Sequence, residues 1–180
     1  MFDRVLVAVD ESASSDNTFL CALELTKVLD AEMVIVHVLD MFDSTNPFGD
    51  IISAGSYLTN VESPKLEDQT DQYDESINNE SCWREFSDHA EVLLKQKQTE
   101  AESFGLTARY LQPYGRAGPI ICKIAETIHA DLIVVGSRNY VHFSKLILGS
   151  VSGYILHNSP CSVTVIYWQS ANSPVLRACQ

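Results

Sequence analysis

Five short apolar runs punctuate this chain: RVLVAV (4–9), MVIVHV (33–38), TARYLQ (107–112), DLIVVG (131–136) and SVTVIY (162–167). Each is about one strand long, and the aliphatic ones are continuous rather than alternating, which predicts a sheet covered on both faces and therefore parallel. Between them the period changes. Phe19, Leu23, Thr26 and Leu29 fall on one side of a helix that follows the small polar run DESASSDN, rich in residues that cap helix starts. Trp83, Phe86, Ala90, Leu93, Lys97, Ala101 and Phe104 recur at helical spacing, with Gly105 placed as a stop. Ile121, Ile124, Ala125 and Ile128 mark a third helix behind Gly118-Pro119. A fourth covers Gly149 to His157, before Asn158-Ser159-Pro160 ends it.

Strands and helices in alternation give right-handed crossovers and a doubly wound α/β fold. With five strands the expected order is 3-2-1-4-5, with helices on both faces. The loops after strands 1 and 4 then face each other at the switch point, where such sheets hold ligands. Residues 1–169 are read as a single domain, and 170–180 as a tail.

One stretch does not fit the alternation. Residues 41–81 are too long for an ordinary connection, and positions 40 to 80 carry ten acids against the single base Lys65. They are read as an acidic insert with a solvated face. The chain as a whole has a formal net charge of −12, which disfavours nonspecific contact with nucleic acid or anionic lipid. No apolar stretch approaches the length of a membrane span, and MFDRVLVAVDES lacks the zones of a secretory signal, so a cytoplasmic location is expected. The five cysteines, Cys21, Cys82, Cys122, Cys161 and Cys179, are dispersed and form no metal-ligand spacing. They are expected to be reduced.

Chemistry concentrates in the loop after strand 4. Gly136 and Ser137 end the strand, Arg138 and Asn139 follow, and Gly149, Ser150, Val151 and Ser152 open a helix. A strand ending in glycine and a helix opening on glycine and serine present main-chain N–H groups to phosphate oxygens, with hydroxyls and Arg138 or Lys145 as further donors. Gly136 and Gly149 also read simply as turn residues. Asp10, at the end of strand 1, reads either as a ligand contact or as a helix cap. His142 reads as a solvent-facing loop residue. There is no Ser-His-Asp set and no Walker lysine loop.

VAVDES, VIVHV, DLIVVGSR, LGSVSGYIL and PCSVTVIY together resemble the universal stress protein family. The likeness covers nearly the whole chain outside the acidic insert and the last dozen residues. It implies an adenine nucleotide alpha hydrolase-like fold and, in the nucleotide-binding branch, a loop of the form G-x2-G-x9-G-[ST]. Gly136, Gly149 and Ser150 fit, and Asn139 replaces the second glycine. The resemblance implies that Ala8, Val9 and Val38 frame an adenine through their main chain. It also implies that Asp10 meets the ribose or a Mg-bound phosphate, and that Ser137 reaches the phosphate tail. The expected function is thus a nucleotide-responsive module binding ATP or AMP, dimeric through Val163–Trp168, with a protein partner the sequence does not identify. Two other readings stand beside it: a dimeric interaction protein of the same family without nucleotide, supported by Asn139, and a slow ATP hydrolase.

Overall fold

The computed structural model describes residues 2–40, 79–137 and 148–167, with no account of the side chains of residues 13 and 79–83. The elements run β1 (Arg4–Ala8), α1 (Ala13–Leu29), β2 (Glu32–Val36), α2 (Asn79–Ser103), β3 (Ala108–Leu111), α3 (Ala117–Thr127), β4 (Leu132–Ser137), α4 (Ser150–Asn158) and β5 (Ser162–Tyr167). All neighbours in the sheet are parallel and the order is β3-β2-β1-β4-β5, as the alternation predicts.

The runs without polar interruption are the central strands. Val5, Leu6, Val7, Met33, Val34, Ile35, Ile133 and Val134 are wholly buried, because α1 and α2 cover one face and α3 and α4 the other. On the first face Val5, Val7, Met33 and Ile35 pack with Phe19, Leu23 and Leu94. On the second, Leu6, Val34 and Ile133 pack with Ile121, Ala125 and Ile155. Each fully buried aliphatic side chain contributes about 1.5–3 kcal/mol relative to exposure. In α2 it is Leu94 that reaches this core, whereas Leu93, expected there from spacing, is half-buried.

Helix ends follow local chemistry. Gly105 ends α2 at φ 87°, a conformation that disfavours side chains, while Leu106 N–H closes back on the Ala101 carbonyl. Asp30 does the same for α1 at φ 54°. Helix α2 starts at Asn79, so the last three residues of the expected insert are helical; residues 41–78 lie outside the described part. Where α3 meets α4, Gly118 permits contact with a ring: a Cβ there would sit 2.8 Å from Tyr154 Cδ1.

The amino ends of the strands are closed by charge. Glu32 accepts from Arg4 Nε at 2.9 Å and from Arg109 Nε at 2.8 Å, and the paired guanidiniums hold its carboxyl below the usual range despite partial burial. Arg4 also donates to the Ile128 carbonyl. Asp131 Oδ2 accepts the main-chain N–H groups of Asp3 (2.8 Å) and Arg4 (3.0 Å), which lowers its pKa as well. Of the cysteines, Cys21, Cys122 and Cys161 are free thiols, and burial pushes the last two up. No described helix is long and apolar enough to cross a membrane.

Candidate functional site

At the opposite, carboxyl end the strands open into a cleft lined from three sides. The first side is the turn from β1 to α1. Ser12 N–H donates to Asp10 Oδ1 at 2.9 Å, the Ser12 hydroxyl donates to the same oxygen, and the Asp10 N–H donates to Ser15 Oγ at 2.9 Å. Asp10 is therefore the pivot of a tight Asx-type turn that aims the start of α1 at the cleft. Asp10 orders the approach to α1, whose N-cap is Ser12, and it lines the cleft.

The second side is built by β4 and α4. Gly136 lies inside β4, paired with Ile166, rather than in the turn that follows. It must be glycine for a packing reason, since a Cβ there would come within 2.6 Å of Thr18 Oγ1 on α1. That approach brings α1 down over the strand end and narrows the cleft. Gly149 caps α4 in extended conformation and has no side chain to satisfy the first turn. The main-chain N–H groups at the start of α4 are consequently available on the cleft side, carrying the positive end of the helix dipole. Ser152 is buried, and its hydroxyl donates to the Gly149 carbonyl at 3.2 Å.

The third side is the continuation of β2. His37 N–H donates to the Leu111 carbonyl, Leu39 N–H to the Pro113 carbonyl, and Gly115 N–H to the Leu39 carbonyl. In an extended chain successive peptide groups alternate in direction, so the N–H and C=O of Val38 point the other way, past the point where β1 has turned off. Val38 itself lines the cleft. Phe86 from α2 closes this end, its ring edge-on to His37 at 6.4 Å and 61°, packed with Leu39 and Ala90. Asp40 accepts from Ala117 N–H at 3.1 Å and so faces the start of α3.

The lining is mixed: Val36, Val38, Phe86, Ile121 and Val135 give it apolar side chains, while Asp10, Glu11, Ser12, Ser14, Ser15, Ser150, His37 and Asp40 give it polar ones. Of the residues expected from sequence, Ala8, Val9, Asp10, Val38, Gly136, Gly149, Ser150, Val151 and Ser152 all line it. Val9 N–H is already engaged with the Val36 carbonyl at 2.9 Å. Ser137 is buried at the end of β4 and is not among the lining residues. Arg138 and Asn139, with His142 and Lys145, lie outside the described residues. Sequence reasoning did not reach Glu11, His37, Asp40 or Phe86. The last reads along the chain as an ordinary core position of an amphipathic helix, and only the crossing of α2 over β2 brings it here.

A sequence model of the universal stress protein family matches residues 1–166. The chain belongs to that family. Among universal stress and stress response proteins, NhaX of Bacillus subtilis (strain 168), a stress response protein, is 29% identical over 170 residues, covering 91% of this chain and 97% of its own. The universal stress protein UspA from Lactobacillus plantarum superposes with a TM-score of 0.65 at 20% identity, over 92% of this chain and 97% of that one. A universal stress protein from Archaeoglobus fulgidus, solved in complex with dAMP, has a TM-score of 0.57 at 16% identity over 92% and 99% of the two chains. At these identities the structures establish the shared fold.

Proposed function

We propose that the cleft binds an adenine nucleotide, ATP or AMP, and that the protein works as a nucleotide-responsive stress or regulatory module. The observation that carries this reading is the convergence of the Asp10 turn and the start of α4, segments more than a hundred residues apart, on one cleft. Its apolar side chains suit a flat base, and the main-chain N–H and C=O of Val38 suit the adjacent acceptor and donor on one edge of adenine. Its polar lining supplies helix-start amides and hydroxyls for ribose and phosphate. The dAMP complex of a relative with the same fold supports the choice of base.

No group of three or more His, Cys, Asp or Glu side chains that could hold a metal occurs among the described residues. The donors beside Asp10 are hard oxygens, which suit Mg²⁺. In this reading Asp10 would help hold a Mg²⁺ carried on the phosphates of ATP, which would supply charge to offset theirs beside the carboxylate. Titration calorimetry with ATP and AMP, with and without Mg²⁺, tests the proposal, and heats no larger than those of buffer dilution would remove it.

The same reading includes assembly into a homodimer. β5 is the outer strand on its side of the sheet, and its residues are only partly covered from Val163 to Ile166. Such an edge invites a second strand. Sedimentation showing a monomer at micromolar concentration would count against it.

A further inference from the structure

The extension of β2 is locked beside the chain that leaves β3. Leu39 N–H donates to the Pro113 carbonyl at 2.9 Å, Gly115 N–H donates to the Leu39 carbonyl at 3.1 Å, and Leu39 and Tyr114 form an isolated parallel bridge. Side chains alternate along an extended stretch of this kind. Leu39 packs with Phe86 and Ala90 beneath α2. Val38 lies on the other side, against the cluster that holds Ile121 of α3. Asp40, two positions on, returns to that side, where its Oδ2 accepts the Ala117 N–H at 3.1 Å.

Helix α3 thus takes its cap from a distant residue. Its own N-cap, Arg116, makes no side-chain capping bond, and its first turn holds no acid. Asp40 supplies the acceptor from 77 residues away in sequence, and the same residue lines the cleft together with Val38, Ala117 and Ile121. A carboxylate offers about four acceptor positions on its two oxygens, so capping α3 and accepting from a ligand are compatible. The bond to Ala117 also restrains how the group can turn.

We infer that Asp40 is a specificity residue of the cleft, accepting a hydrogen bond from the exocyclic amino group of the bound base. This rests on the nucleotide reading, in which the main chain of Val38 meets the edge of adenine. The amino group of adenine carries two hydrogens. The Val38 carbonyl takes one, and the Asp40 carboxylate, two residues further along the same wall, takes the other. A base with an oxo group in that position, such as hypoxanthine or guanine, brings an acceptor against an acceptor and is refused by repulsion as well as by the lost bond.

Titration calorimetry on the full chain and on Asp40→Asn tests this, with AMP and with purine riboside monophosphate, which lacks the amino group. The asparagine keeps the cap, since only its oxygen accepts from Ala117, and its NH₂ donors then turn toward the ligand. In the wild type AMP should bind about tenfold or more tightly than the unsubstituted purine nucleotide. In Asp40→Asn the AMP affinity should fall by about tenfold or more while the unsubstituted ligand stays within about threefold. Affinities that fall alike for both ligands, as a purely structural role would give, or that do not change, would overturn the inference and leave the nucleotide reading standing. A check independent of the variant's folding uses wild type and AMP carrying one methyl on its amino nitrogen. That ligand keeps an N–H for Val38 and loses the one for Asp40, so it should bind about tenfold or more weakly than AMP, and equal binding would again overturn the inference. If the wild type binds none of the three ligands, the nucleotide reading falls and takes this one with it.

Discussion

The two ends of the sheet use carboxylates in opposite ways. At the amino ends Glu32 is clasped between two arginines and Asp131 accepts two main-chain N–H groups, so the acids there tie strands and turns together. At the carboxyl ends Asp10 and Asp40 spend hydrogen bonds on the starts of α1 and α3, and Glu11 reaches across to α2. Those acids shape the rim of a cleft. The difference separates residues that hold the fold from residues that set the geometry of a site, and mutation should separate them too.

The largest effect is expected at the start of α4. Gly149→Val puts a branched side chain where a phosphate must approach the main chain, and should lower nucleotide affinity by about a hundredfold or more, as read by calorimetry, with thermal stability little changed. Equal affinity in the variant and the wild type would contradict the cleft as the binding site. Next comes Gly136→Ala, whose new Cβ meets Thr18 Oγ1. It should cost about 1–3 kcal/mol in urea denaturation and widen the cleft by pushing α1 outward, so that stability and affinity fall together. A fully stable variant would mean that Thr18 turns aside freely.

At the other end, Glu32→Gln should cost about 1 kcal/mol, because the clasp is partly solvated, and leave affinity intact. Its pH signature has a definite sign. The folded-state pKa of Glu32 lies below the ordinary glutamate value of 4.5, so its contribution is present above that value and is lost as pH falls through the folded pKa. Asp131 behaves alike from 3.8 downward. Denaturation midpoints measured from pH 6 to pH 3 should therefore fall less steeply in Glu32→Gln than in the wild type, and parallel curves would refute the clasp as an acid-sensitive element. The smallest change is expected from Asn139→Gly, which should leave affinity equal or up to about threefold tighter, since glycine has no side chain to crowd an approaching phosphate. A loss of binding there would assign Asn139 a direct role.

Much of the fold was legible because burial on both faces leaves an uninterrupted aliphatic signature. Val5–Val7, Met33–Ile35 and Ile133–Val134 announce three central strands, and three central parallel strands leave few places for the other two. The glycines were legible as special positions, but their reasons were not. Gly136 answers to Thr18, and Gly118 to Tyr154, each across a helix packing that no local window contains. Asp10 stood out in the sequence because Asp suits a turn at the end of a strand, although the helix cap itself is Ser12. Phe86 did not, since a helix shows its apolar stripe along the chain but not which element that stripe will cross.

The place of Val38 in the cleft wall, where the proposed contact is through its main chain, has an implication for how this protein can change. Atoms common to all residues are indifferent to the side chain attached to them, so a substitution scan across that position should find it quiet even if it meets the base directly. Loss would instead come from anything that bends the strand, a proline at 38 above all, because it removes the N–H itself. Recognition written into the backbone can persist while the letters above it drift.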